Sequence, residues 1–320
     1  MKELSKDSAS WHEVGVEAAG QRVDNYLIRL LKGVPKSHVY RILRSGEVRV
    51  NSGRVGPEHR LGAGDRVRLP PIRVAQRSNP SAPARGFDAA ILYEDDALLV
   101  LDKPAGAAVH GGSGISFGIV EQLRAARPAG RFLELVHRLD RDTSGVLMLA
   151  KKRSALTALH EQLRTGRVAK HYLALVHGRW HNRRQNVRLP LAKYLSSAGE
   201  RRVGVEADGL PSHTVFTLRR GTREFSLLEA ELKTGRTHQI RVHLAHLGFP
   251  IVGDDKYGDF ALNKTLARQG LKRMFLHAEK VKIVHPLTGE AIAFEAPLPR
   301  ELTVFLDWIE TALTGATGPA

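Results

Sequence analysis

Hydrophobic positions recur at helical spacing early in the chain. Val23, Tyr26, Leu27, Leu30 and Leu31 form one stripe, and Val39, Ile42 and Leu43 form another after Pro35. Alternation then takes over in GEVRVNSGRVGPEHRLGAGDRVRL, where Val48, Val50, Val67 and Leu69 interleave with Arg49, Arg66 and Arg68 between Gly and Asn punctuation. The pattern predicts two short helices followed by a small β-hairpin-like unit. A stretch with four prolines follows between Pro70 and Gly86, the composition of a semi-rigid linker. Beyond it, ILY, ALLVLD, VLMLA, HYLALVHG and FSLLEAELKTG predict strands. SALTALHEQLRTG predicts a helix with a Gly stop, and ELTVFLDWIETAL a closing amphipathic helix. Arg236, Gln239 and Arg241 alternate about Ile240, Val242 and Leu244, which predicts one more strand with its polar groups on one face. The order is no clean βαβα alternation. The expected class is therefore α+β, with a mixed, largely antiparallel sheet. The expected boundaries are an extension over 1–20, a small domain over 21–77, a linker over 78–88, a larger domain over 89–313 and a frayed tail over 314–320.

Charge adds a partner to this picture. The 320 residues carry 49 Lys and Arg against 33 Asp and Glu, a formal net charge of +16. Residues 21–77 alone hold 13 basic and 4 acidic side chains, so more than half of the excess lies in under a fifth of the chain. Such a concentration favours a polyanion, either nucleic acid or an anionic membrane surface. No stretch approaches the ~20 apolar residues of a membrane span, and the polar N-terminus MKELSKDSASWHEVG has no signal-peptide core. A soluble, cytoplasmic nucleic-acid-binding protein without membrane contact is expected. The absence of Cys removes disulfide frameworks, thiol catalysis and Cys-ligated metals.

Candidate chemistry is concentrated in two segments. In ELVHRLDRDTSGVLMLAK, Asp140 sits among His137, Arg138 and Arg141 in a polar turn ahead of an apolar strand. A carboxylate placed among cations could serve as nucleophile or base. Asp140 and Asp142 could equally be turn residues making local hydrogen bonds. The second segment is LKTGRTHQIRVHLAHLGFPIVGDDKYG. Its His238, His243 and His246 lack nearby carboxylates for a metal, and Asp254 and Asp255, as sequence neighbours, would point apart. No P-loop or dinucleotide-binding glycine pattern is present.

YEDDALLVLDKPAGAAVHGG, VHRLDRDTSGVLMLAK, KHYLALVHG and TGRTHQIRVHL, in that order, resemble the blocks of the RluA-like family of bacterial pseudouridine synthases over about residues 91–297. The basic N-terminal module resembles the small RNA-binding domain named after ribosomal protein S4. GVPKSHVYRILRSGEVRVN and HGGSGISFG bring the chain closest to members that act on 23S ribosomal RNA. The resemblance implies a cofactor-free, metal-free isomerisation in which uracil is detached, turned over and rejoined to ribose through C5. It makes Asp140 the catalytic aspartate, acting at C1′ or at C2′. It makes Tyr172 the residue that stacks on the target base, Arg236 the basic partner of the aspartate, and Arg138 the side chain that fills the space of the flipped base. Flipping is a physical necessity, because the glycosidic bond is unreachable inside a stack. The implied substrate is several uridines of 23S ribosomal RNA, contacted by Arg22, Lys36, Arg41, Arg44 and Arg49 of the S4-like module. Lys103 in LDKPAG is a further RNA-contact candidate or a solvated turn residue.

Three rivals stand beside this reading. Transfer RNA is the alternative substrate for the same chemistry. A nonenzymatic RNA-binding assembly factor would need only the charge, and leaves HRLD and TGRTHQIR unexplained. A metal-dependent nuclease or glycosidase would use Asp140, Asp142, Asp254 and Asp255.

Overall fold

The computed structural model describes residues 8–31, 34–72, 89–111, 118–127, 132–196 and 199–314. The expected linker and all but the first residue of the expected tail lie outside them. The chain forms two compact units, residues 1–84 and 85–320.

In the first unit the order is β1 (Ser10–Glu13), α1 (Val23–Leu30), α2 (Lys36–Arg44), β2 (Arg49–Val50), β3 (Gly53–Arg54) and β4 (Arg66–Leu69). The strands form one antiparallel sheet in the order β1-β4-β2-β3. The helices are short because each closes a single apolar stripe. Val23 and Leu27, then Val39, Ile42 and Leu43, are buried with Val48, Val67 and Leu69 in one core. Strand β1 lies within the segment expected to be a separate extension. It pairs with β4 from Ser10↔Leu69 to Glu13↔Arg66, and Val14 and Ala18 just after it enter the same core. Four residues with two polar and two mixed positions carry too little pattern to announce a strand.

The second unit runs β5 (Ala90–Glu94), β6 (Leu98–Lys103), α3 (Ile119–Ala125), β7 (Glu134–Leu135), β8 (Ser144–Ala150), α4 (Arg153–Arg164) and β9 (Ala169–His177). It continues with β10 (Arg184–Val187), β11 (Leu191–Leu195), β12 (Arg201–Val205), β13 (Thr214–Gly221), β14 (Phe225–Leu232), α5 (Gln239–His246), α6 (Phe260–Arg268), β15 (Leu276–Val284), β16 (Ala291–Glu295) and α7 (Arg300–Thr314). Its main sheet has the order β10-β13-β14-β9-β15-β8-β6-β5, with β16 beside β15 and β7 beside β8. Every pairing is antiparallel except β15 with β8, so the sheet is mixed and largely antiparallel, in an α+β fold. Strand β8 is buried at all seven positions because it is central and covered on both faces. Strands β11 and β12 form a separate hairpin.

The largest departure from the sequence pattern is α5. The alternation about Ile240 and Val242 predicts a strand, yet residues 239–246 are helical. The polar positions misled because they are not on a wet face. Gln239, Arg241 and His243 are buried with Ile240, Val242 and Leu244, so the helix has no apolar stripe to display.

The parallel join between β8 and β15 is made at Gly145, whose φ is +108°. A Cβ there would lie 2.2 Å from the Ala278 carbonyl oxygen, which is backbone and cannot step aside. Gly145→Ala should therefore lower the unfolding free energy by about 2–4 kcal/mol, read as a fall in the urea midpoint with unchanged slope. An unchanged midpoint would show that the two strands are free to separate.

Candidate active site

The loop from His137 to Thr143 links β7 to β8 and carries Asp140. Several anchors hold it. Leu139 is buried in the main core, the Thr143 N–H donates to the Asp140 carbonyl (3.2 Å), and the Met148 N–H donates to the His137 ring at 3.2 Å. Arg273 donates to the Asp142 carbonyl and to the Ser144 hydroxyl. Lys103, at the end of β6, is fully buried, so it is neither an RNA contact nor a solvated turn residue. Its ammonium donates to the carbonyls of Pro104 (2.9 Å), Ala107 (2.9 Å) and Arg141 (2.8 Å). Burial pushes its pKa down to about 7, against the pull of Asp142 and Asp140. Three carbonyls match the three N–H bonds of an ammonium, so the side chain works as a clamp between the turn after β6 and the Asp140 loop.

The basic partner of Asp140 is Arg241. Its Nη1 lies 3.0 Å from Asp140 Oδ2, while its Nε and Nη2 lie 2.7 and 2.8 Å from the two oxygens of Asp254. Asp254 is 1% exposed and also accepts the backbone N–H groups of Lys256 and Tyr257. Burial works against the charge of Arg241, but hydrogen bonds and attraction from Asp254 and Asp140 raise its pKa overall. Burial likewise opposes ionisation of Asp254, and Arg241 overcomes it and holds the carboxyl below its usual range. The expectation that Arg236 pairs with Asp140 is thus corrected. Arg236 is exposed at the mouth of the cleft and donates to the Pro211 carbonyl. The helical turn, absent from a strand reading, swings residue 241 inward. Asp254 is buried against Arg241, while Asp255 is 74% exposed and comes no nearer to the same guanidinium than 3.7 Å, so of the two only Asp254 makes hydrogen bonds to it.

Two aromatic rings complete the surroundings. Tyr257 lies under the Arg241 guanidinium, 5.1 Å from its ring centroid, and its hydroxyl meets His238 Nδ1 at 2.8 Å. His238 precedes α5 in a left-handed conformation, φ +53°, and its Nε2 lies 3.8 Å from Asp140 Oδ2. A cleft of about 430 Å³ opens over these groups. Tyr172 of β9 and Leu232, Ile240 and Leu276 supply its apolar lining, and Arg138, Lys170 and Arg236 its cations. Burial raises the Tyr172 phenol pKa and nearby Asp140 adds to the shift, so the ring enters the cleft neutral. Desolvation pushes Lys170 the other way, downward. The volume suits one small ligand with converging polar groups. Asp140, Tyr172, Arg138 and Arg236 all line this cleft. Arg241, His238 and Asp254 stand out in the sequence only as a polar strand face, a metal candidate and a nuclease carboxylate, and Tyr257 and Lys170 carry no sequence signal at all.

The basic residues of the first unit divide. Lys36, Arg41 and Arg44 are exposed on α2, opposite its buried Val39, Ile42 and Leu43. Arg49 is exposed on β2. Arg22 is a correction. It is engaged internally with Asp24 (2.6 Å) and Glu58 (2.5 Å), because buried Asp24 needs a partner, and Tyr40 supplies a further donor to Asp24.

Arg241→Ala should destabilise the protein by about 3–5 kcal/mol, because Asp254 would stay buried without its cation. Arg236→Ala should leave stability nearly unchanged. Equal thermal denaturation of the two variants would contradict the pairing described here.

Residues 97–246 match the family model described as RNA pseudouridylate synthase, and residues 21–67 match the S4 domain. Ribosomal large subunit pseudouridine synthase C of Yersinia pestis is 54% identical over 294 residues, spanning 90% of this chain and 92% of the relative. The protein of the same name from Escherichia coli (strain K12) is 53% identical over 306 residues, 93% and 96% of the two chains. Among solved structures, Human RNA Pseudouridylate Synthase Domain Containing 4 superimposes with a TM-score of 0.57 at 26% identity. It covers 69% of this chain and 92% of that one. With Asp140 paired to a buried arginine in a nucleotide-sized cleft and a small basic unit preceding it, the chain belongs to the RNA pseudouridine synthases that carry an S4 domain.

Proposed function

We propose that the protein converts uridines of large-subunit (23S) ribosomal RNA to pseudouridine, with Asp140 as the group that acts on the target ribose. The observation that carries this reading is the Asp140–Arg241 pair at 3.0 Å, facing a cleft lined by Tyr172. The isomerisation balances within the nucleotide. The C1′–N1 bond breaks, C1′–C5 forms, and the proton lost from C5 is matched by one gained at N1. Asp140 acts at C1′ or C2′. Arg241 positions its carboxylate and offsets its charge, and Arg241 is itself held by Asp254 on the opposite side. Tyr172 offers a neutral aromatic face for the uracil, and exposed Arg138 is placed to fill the vacated stack. The two relatives described above are named as large-subunit enzymes, which favours ribosomal over transfer RNA.

The first unit supports a polyanionic partner of its own. Across its sheet, Trp11 pairs with Arg68, Arg68 with Arg49, and Arg49 with Arg54, so these side chains share one face. Arg66 joins that face and lies over the Trp11 ring at 5.1 Å. Like charges directly opposite each other cost stability in an isolated sheet. RNA phosphates would remove that cost, and the exposed face of α2 adds Lys36, Arg41 and Arg44.

Asp140→Asn should abolish product formation in single-turnover assays on large-subunit ribosomal RNA while leaving RNA affinity nearly unchanged. Retention of more than a trace of pseudouridine would exclude Asp140 as the reacting group, and modification confined to transfer RNA would exclude the ribosomal substrate.

Replacing Arg49 and Arg66 together by Ala should flatten the salt dependence of RNA binding. Each lost phosphate contact lowers the slope of log K against log salt by about 0.7–0.9. An unchanged slope would remove the sheet face from the RNA interface.

A further inference from the structure

His238 is held with unusual care for a residue outside the carboxylate–arginine pair. It adopts the left-handed region at φ +53°, where a side chain other than Gly is uncommon. Strain of this kind persists only where the surroundings hold it, and it is concentrated at functional sites. The surroundings here are specific. The Tyr257 hydroxyl accepts the Val203 N–H at 3.0 Å and meets His238 Nδ1 at 2.8 Å, and the two rings pack edge to face. Of the two groups meeting that hydroxyl, only Nδ1 can accept its proton. The phenol therefore donates to Nδ1, and the imidazole carries its own proton on Nε2. Burial lowers the His238 pKa, opposed by Asp140 and aided by Arg241 and Lys256, which keeps the ring neutral.

The result is an N–H donor, Nε2, 3.8 Å from a carboxylate oxygen, Asp140 Oδ2. That separation is too long for a direct hydrogen bond. It suits a third atom within reach of both, one that accepts from Nε2 and donates to Oδ2. Among the groups of a nucleotide, only a hydroxyl does both. Uracil carbonyls, phosphate oxygens and the ring ether of ribose accept alone, and in an internal nucleotide the 3′ and 5′ oxygens are esterified. The one hydroxyl left on such a nucleotide is the ribose 2′-OH, attached next to the carbon where the glycosidic bond breaks.

We propose that His238 Nε2 donates a hydrogen bond to the 2′-hydroxyl of the target uridine, whose proton is in turn directed to Asp140, so that the pair aligns the ribose and selects RNA over DNA. The inference rests on the reading of this cleft as the uridine site.

The test uses the full-length protein and a large-subunit ribosomal RNA fragment carrying either uridine or 2′-deoxyuridine at one modified position. Affinity and single-turnover rate are measured for wild type, His238→Gly, His238→Ala and His238→Gln. Gly accepts φ +53° without strain, so His238→Gly should melt no lower than His238→Ala, which separates the backbone from the loss of the imidazole. Wild type should favour the ribose substrate about tenfold, the worth of one good hydrogen bond in a desolvated site. His238→Gly and His238→Ala should lose about that factor on the ribose RNA and nothing further on the deoxy RNA. His238→Gln, which keeps an N–H donor, should recover part of the preference. Equal losses on both RNAs, or no loss on either, would overturn the assignment. If wild type made no pseudouridine, the functional reading would fail. The affinity comparison needs no turnover and would still decide the hydroxyl contact, where a deoxy penalty undiminished in His238→Gly would overturn it.

Discussion

A single buried guanidinium organises the catalytic unit. Arg241 is 7% exposed and shared between Asp254, which is wholly buried, and Asp140, which reaches the cleft. The three come from different places: the loop before β8, the helix α5 and the turn ahead of α6. Burying this cation is tolerable only because two carboxylates meet it with good geometry, and burying Asp254 is tolerable only because four N–H groups meet it. The fork of arginine suits this task and the point charge of lysine does not, since two planar acceptors must be engaged in fixed directions. The position of Asp140 is thus set from outside the cleft. Tyr257 extends the same arrangement, with its ring under the guanidinium and its hydroxyl on His238.

A second constraint acts from the other side of the loop. Lys103 ties the Arg141 carbonyl to the turn after β6, and Gly145 lets β8 run parallel to β15 immediately beyond Asp140. The carboxylate therefore stands on a loop whose two ends are fixed by backbone hydrogen bonds to neighbouring strands. A reacting group held in this way reaches its substrate at little cost in ordering, which is how proximity contributes to a rate.

Much of this was legible from residue order. The helical stripes at Val23–Leu31 and Val39–Leu43, the apolar run VLMLA of β8 and the long closing helix follow from side-chain pattern alone. HRLD and TGRTHQ both lie on the cleft described above. What failed is informative. The period of α5 was hidden because its polar residues are buried in their own networks, with His243 between Ser212 and Thr214 and Gln239 beside Thr214. The resemblance assigned the pairing to Arg236, and it is Arg241, in the first turn of α5, that meets Asp140. The pairing of Arg241 with Asp254, 13 residues on, depends on tertiary folding and has no local spacing rule. Lys103 looked like a solvated turn residue because its three carbonyl partners belong to the backbone, which sequence does not distinguish. Arg22 looked free because its acidic partners belong to a module whose net charge is strongly positive. β1 was too short to read.

The most direct measurement is pseudouridine mapping of ribosomal RNA from cells lacking this protein, with the gene restored as wild type or as Asp140→Asn. The account predicts that particular large-subunit uridines stay unmodified in its absence, regain pseudouridine with the wild type and stay unmodified with the Asn variant. An unchanged set of pseudouridines in the large-subunit RNA of the deletion strain would contradict it.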